Sequence, residues 1–146
     1  MNAKPVLVCL LALLATCGPL PSEPELRFAA TTSACGPDSR SFTAILLTPD
    51  PIDFPGPYAP YLRVVLPEER IMLGSRSWTV GYDEGLVAEY VGSYTTESAS
   101  RGQVNVTWVD GNLGAVEGSL DLEFTSLTVA TKFKAPWVTL TSVSCR

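Results

Sequence analysis

From Phe28 onward, apolar and polar positions alternate with a period of two rather than 3.6. Over 103–109, Val104, Val106 and Trp108 share one face, while Asn105 and Thr107 point the other way. Over 119–124, Leu120, Leu122 and Phe124 point in, and Ser119, Asp121 and Glu123 point out. Over 127–134, Leu127, Val129 and Phe133 point in, and Lys132 and Lys134 point out. Alternation of this kind marks antiparallel strands with one dry and one wet face. Asp110-Gly111-Asn112 between two of these runs is a hairpin signal. The phase slips at Thr125-Ser126, which predicts a second tight turn or a bulge. Further strands are expected at 42–48, 61–66, 71–73, 78–82, 86–90 and 138–143, where Val, Thr and aromatic residues are frequent. No stretch carries a helical stripe. The prediction is an all-β chain, an antiparallel β-sandwich or small β-barrel of about seven to nine strands, with the sandwich preferred. Trp78, Trp108 and Trp137 are assigned to the core.

The first residues depart from this pattern. Lys4 precedes an apolar stretch of about eleven residues, from Pro5 to Ala15, and small residues follow. A bilayer-spanning helix needs roughly twenty, so the segment reads as an export signal rather than a permanent span. Leu14-Ala15-Thr16-Cys17 resembles the lipobox of bacterial lipoproteins, with Thr16 standing where Gly, Ala or Ser is usual. The resemblance implies cleavage before Cys17 and acylation of that cysteine, and Gly18 after it leans toward the outer membrane. It divides the chain into a signal peptide (1–16), a lipidated N-terminus with a Pro-rich spacer (17–27) and one β domain (28–146). Pro19, Pro21 and Pro24 stiffen the spacer, at about 3.1 Å per residue where it is polyproline-like. The hairpin sequence 118–124 likewise resembles those of small uncharacterised β-rich lipoproteins, a likeness that implies no activity.

Cleavage would leave 130 residues, enough for one domain with a real core, and would take the net charge from −5 to −6. An acidic chain without a basic cluster repels phosphate backbones, so nucleic acid is not an expected partner. Of the four cysteines, Cys9 falls in the leader and Cys17 is the acylation candidate. Cys35 and Cys145 remain, and an exported pair predicts a disulfide.

The chain contains no histidine, which removes Ser-His-Asp and Cys-His nucleophile systems and every His-based metal site. Asp50, Asp53, Glu68, Glu69, Asp83 and Glu84 could in principle supply a carboxylate pair, but no motif links them and each suits a turn or a wet surface. Asp110-Gly111-Asn112 lacks the further acids that a cation loop needs. Asn105-Val106-Thr107 matches a glycosylation sequon but falls within an expected strand. No catalytic residue, metal or cofactor is assigned.

The segment 49–61 holds Pro49, Pro51, Pro55, Pro57 and Pro60 with Phe54, Tyr58 and Tyr61 among them. Prolines cannot donate to a ladder, so a stiff loop is expected. Aromatics on a stiff loop lose little entropy on binding, which makes Phe54, Tyr58 and Tyr61 the candidate contact residues. The competing reading is a crossover whose aromatics cap the core. The expectation is a non-enzymatic, lipid-anchored domain of the cell envelope with a structural or binding role, tied to a membrane and facing an envelope protein or polymer. The alternatives are a carrier of a small apolar ligand in a barrel interior and a carboxylate-based hydrolase of envelope polymers.

Overall fold

Leu62, Val64 and Leu66 alternate with Tyr61, Arg63 and Val65, and strand pairing turns that alternation into two faces. The computed structural model describes residues 25–35, 41–52, 56–67, 74–110 and 115–139. Nine strands run through them: β1 (Phe28–Cys35), β2 (Ser41–Thr48), β3 (Tyr61–Leu66), β4 (Gly74–Thr79), β5 (Val87–Val91), β6 (Thr96–Ser98), β7 (Arg101–Asp110), β8 (Ala115–Glu123) and β9 (Thr128–Ala135). They form two antiparallel sheets, ordered β1-β2-β3-β5-β6 and β4-β7-β8-β9. The sheets make a β-sandwich and are not closed into a barrel.

The core lies between the sheets. Ile45, Leu47, Leu62, Val64 and Leu66 from the first join Trp78, Val104, Val106, Trp108, Leu120, Leu122 and Phe133 from the second. Each large aliphatic side chain buried there contributes about 1.5–3 kcal/mol. Gly118 pairs with Val106 and Phe133 on the core-facing row. A Cβ at Gly118 would stand 2.8 Å from the Phe133 ring and 2.1 Å from the Asn105 carbonyl oxygen, so the absent side chain makes room for the aromatic one. The outer face of β1 and β2 is dry as well: Ala30, Ala44 and Leu46 are buried there. Burial on both faces accounts for the continuous apolar run Ala44–Leu47.

One corner joins the sheets where β6 runs on through Ala99 and Ser100 into β7 and the chain changes partners. The Ala99 N–H donates to the Ala88 carbonyl at 2.8 Å in the first sheet, and the Ser100 N–H donates to the Glu123 carbonyl at 2.8 Å in the second. Strands that switch sheets in this way make the corners of sandwiches. Gly102 follows at φ 135°. On the opposite edge, the chain leaving β9 meets β1. The Thr31 N–H donates to the Pro136 carbonyl and the Val138 N–H to the Thr31 carbonyl, both at 2.8 Å, in a parallel bridge centred on Thr31 and Trp137.

The structure corrects three local expectations. The strand expected at 78–82 ends at Thr79. The Thr79 carbonyl accepts from the Tyr82 and Asp83 N–H groups at 3.1 Å, which closes a turn there. Trp137 is 38% exposed rather than core, because it lies beyond β9 on the bridge to β1. Val138 and Thr139 are in no strand, and 140–143 lie outside the described residues, as do 71–73. The turn at Thr125-Ser126 is tight, as its phase slip predicts: the Phe124 N–H donates to the Leu127 carbonyl at 2.8 Å. β7 and β8 pair antiparallel around 111–114, with a register shift between Trp108 and Asp110.

β6 is pinned to that turn through Glu97, whose carboxylate accepts the Ser126 N–H at 2.9 Å. Hydrogen bonds from the side chain and then the backbone of Ser126 hold the Glu97 carboxyl below its ordinary range. The stabilisation is therefore complete above the ordinary carboxylate pKa of about 4.3 and is lost as pH falls through the lowered folded value. Glu97→Gln is expected to reduce the loss of thermal stability on acidification below about pH 4.3. Melting curves across that range check it, and an unchanged slope would contradict it.

Candidate functional site

Register places the two ends of the first sheet. Phe28 pairs with Thr48, Tyr61 with Val91, and Val91 with Thr96. The start of β1, the 49–60 loop and the β5–β6 turn therefore share one end. The β4–β5 turn leads into Val87, which pairs with Val65 at the other end.

One exposed aromatic, Tyr82 at 88%, stands in the β4–β5 turn; other aromatic side chains gather at the first end. Tyr58 is 75% exposed on the loop before β3, and Tyr94 is 100% exposed at the tip of the β5–β6 turn. Phe28 is 40% exposed at the start of β1. Tyr61, at the start of β3, is half-buried on the outer face. The structure thus brings Tyr58 and Tyr61 to one end, with Tyr58 open to solvent and Tyr61 part of a strand; Phe54 lies outside the described residues. Tyr94 completes the group, and sequence reasoning misses it. Its signal is Gly92-Ser93-Tyr94-Thr95, a turn sequence with an aromatic at its tip. The Gly92 N–H donates to the Thr95 carbonyl at 2.7 Å and closes that turn.

The chain also comes into the domain at this end. Leu26 packs against the core, and the Arg27 N–H donates to the Thr48 carbonyl at 2.9 Å. The packed part of the chain therefore reaches back at least to Leu26. Arg27 pairs with Glu25, and the guanidinium holds the Glu25 carboxyl below its usual range through a hydrogen bond first and charge second. Asp50 is exposed on the same end and adds to the field on Arg27. Among the described residues here, two carboxylates thus face one guanidinium.

The outer face of the second sheet is a different surface, made of short polar side chains bonded to one another. Ser75 and Thr107 hydroxyls lie 2.9 Å apart, Ser77 donates to Asn105 Oδ1 at 2.6 Å, and Lys134 pairs with Glu117 at 2.8 Å. Arg101 grips Glu123 with two hydrogen bonds, one of them 2.9 Å. A depression of about 500 Å³ lies among Gln103, Asn105, Ser119, Asp121 and Lys132. The Asn105 side chain of the sequon is held within this ladder.

Among the described residues the candidate acids do not converge. Asp50 is at the end of β2, and Asp83 and Glu84 are exposed in the β4–β5 turn. Asp53, Glu68 and Glu69 lie outside the described residues. Among the described residues no group of three His, Cys, Asp or Glu side chains is placed to hold a metal. Cys35 is exposed at the end of β1, while Cys17 and Cys145 lie outside the described residues. Comparison of the chain with protein families, with curated proteins and with solved structures finds no match.

Proposed function

We propose that this chain is a lipid-anchored β-sandwich domain of the cell envelope that acts by structure or binding rather than by catalysis. The observation that carries the reading is the leader, in which a short apolar stretch ends on Leu14-Ala15-Thr16-Cys17. Two acyl signals make membrane attachment durable where one is marginal, and lipoprotein-type modification of Cys17 would supply them. A carrier role would need a barrel interior. The sheets are not closed into a barrel, and the space between them holds Ile45, Leu62, Val64, Val104, Val116 and Leu122, all fully buried.

Pairing of Cys35 with Cys145 belongs to the same reading. Beyond Ala135 the chain runs parallel to β1 through the Thr31–Trp137 bridge, so it heads toward the Cys35 end of that strand. In the native host, the protein is expected to fractionate with membranes and to be released by detergent but not by salt. Cys17→Ala should move it to the soluble fraction. A salt-released wild type, or a Cys17→Ala variant that stays with the membrane, would contradict the anchor.

A further inference from the structure

We infer that the end of the first sheet carrying Phe28, Tyr58 and Tyr94 rests on the lipid headgroups of the bilayer that holds the anchor. The inference builds on the lipoprotein reading and adds an orientation to it. Three observations converge. The chain joins the domain at Leu26 and Arg27, beside Phe28 and Thr48, so any tether from Cys17 pulls on this end. From Cys17 to Glu25 is eight residues, about 25 Å if polyproline-like. A tether of that length keeps the domain near the surface, and the contact requires the spacer to lie along the membrane rather than stand upright from it.

The second observation is the exposure of the aromatics. Tyr94 makes no use of its ring within the domain, since it is 100% exposed, and Tyr58 is 75% exposed. Tyrosine combines an apolar ring with a hydroxyl and concentrates where apolar and wet phases meet, at the level of lipid headgroups. The loops that carry them flank the paired strands β3 and β5 at one end of the sheet, with strand axes about 4.8 Å apart. The third observation is charge. Arg27 stands among Glu25 and Asp50, so among the described residues the end has no basic cluster of the kind that recruits anionic lipid. The contact should then be aromatic and nearly independent of salt, and neutral phosphatidylcholine and phosphatidylethanolamine suffice as the surface.

Hydrogen exchange on the full mature protein in vesicles of those two lipids tests this, with its intact mass measured on the same sample. The reference is the unacylated Cys17→Ala protein in solution. A seat occupied nine-tenths of the time slows the amides of Ser93, Tyr94, Thr95, Tyr58 and Ala59 about tenfold, and leaves those of Tyr82 and Glu84 at the far end unchanged. Tyr58→Ser combined with Tyr94→Ser should restore fast exchange while the acyl mass and the far end stay as they were. An acylated mass without protection at 93–95 overturns the orientation and leaves the anchor standing. Equal protection at Tyr82, or protection that survives the double substitution, also overturns it. Protection seen in native membranes but absent from pure lipid overturns it in favour of a protein partner. A mass without acyl chains removes the anchor, and the inference with it.

Discussion

Gly102→Ala is expected to destabilise the domain by about 3 kcal/mol or more, summing backbone strain and overpacking. Gly102 sits just past the point where the chain passes from β5 as partner to β8. It holds φ at 135°, in the region that favours glycine. A Cβ there would come within 2.1 Å of the Asp121 carbonyl oxygen and 2.8 Å of the Leu122 Cα. Both are backbone atoms of the neighbouring strand, so no side-chain rotation relieves the contact. The corner must open, and opening it separates Ser100 from Glu123 and the Val80 N–H from the Gly102 carbonyl, now 3.0 Å apart. Small domains are stable by only about 5–15 kcal/mol, so the loss is a large share of the total. Urea unfolding followed by near-ultraviolet dichroism measures it. A loss below about 1 kcal/mol would show that the corner is not fixed by this residue.

Removing Cys35 is expected to cost about 4–5 kcal/mol if the disulfide closes the loop to Cys145. The proposed loop spans just over a hundred residues, nearly the whole domain, and chain entropy makes long loops the most stabilising to close. In the Cys17→Ala background, Cys35→Ser and Cys145→Ser should lower the unfolding midpoint equally. The double substitution should lower it no further, because either one breaks the same bond. Unequal or additive losses would contradict the pairing. Reductant should destabilise the parent protein and leave both variants unchanged.

The strands with one wet face could be read directly from their residues. β3, β7, β8 and β9 alternate cleanly, and Val104, Val106, Trp108, Leu120, Leu122, Phe124, Val129 and Phe133 are all buried where alternation puts them. β1 was harder because it is flanked on both sides of its sheet. Ala30, Thr31 and Thr32 are consecutive and all buried, which erases a period of two. β6 has only three residues, Thr96–Ser98, and its pairing with β5 rather than its composition makes it a strand. The division into two sheets was not readable at all. β4 follows β3 in the chain but joins the other sheet against β7, and such pairing is decided by packing over long range. Trp137 shows the same limit, since its place depends on where β9 ends relative to β1.

The aromatic end was partly readable. The proline-rich loop pointed to Tyr58 and Tyr61, and composition suffices for that because prolines exclude a ladder. Tyr94 required the register, since only the pairing of Tyr61 with Val91 and of Val91 with Thr96 brings its turn beside the loop. The proposed function rests on the leader, whose chemistry is local and does not depend on the fold.

The most direct test of the account is the intact mass of the mature protein from its native host, measured for wild type and for Cys17→Ala. The account predicts a chain beginning at Cys17 whose mass carries acyl groups, with those groups absent from the variant. An unmodified cleaved mass for the wild type would contradict it and make this a freely exported domain.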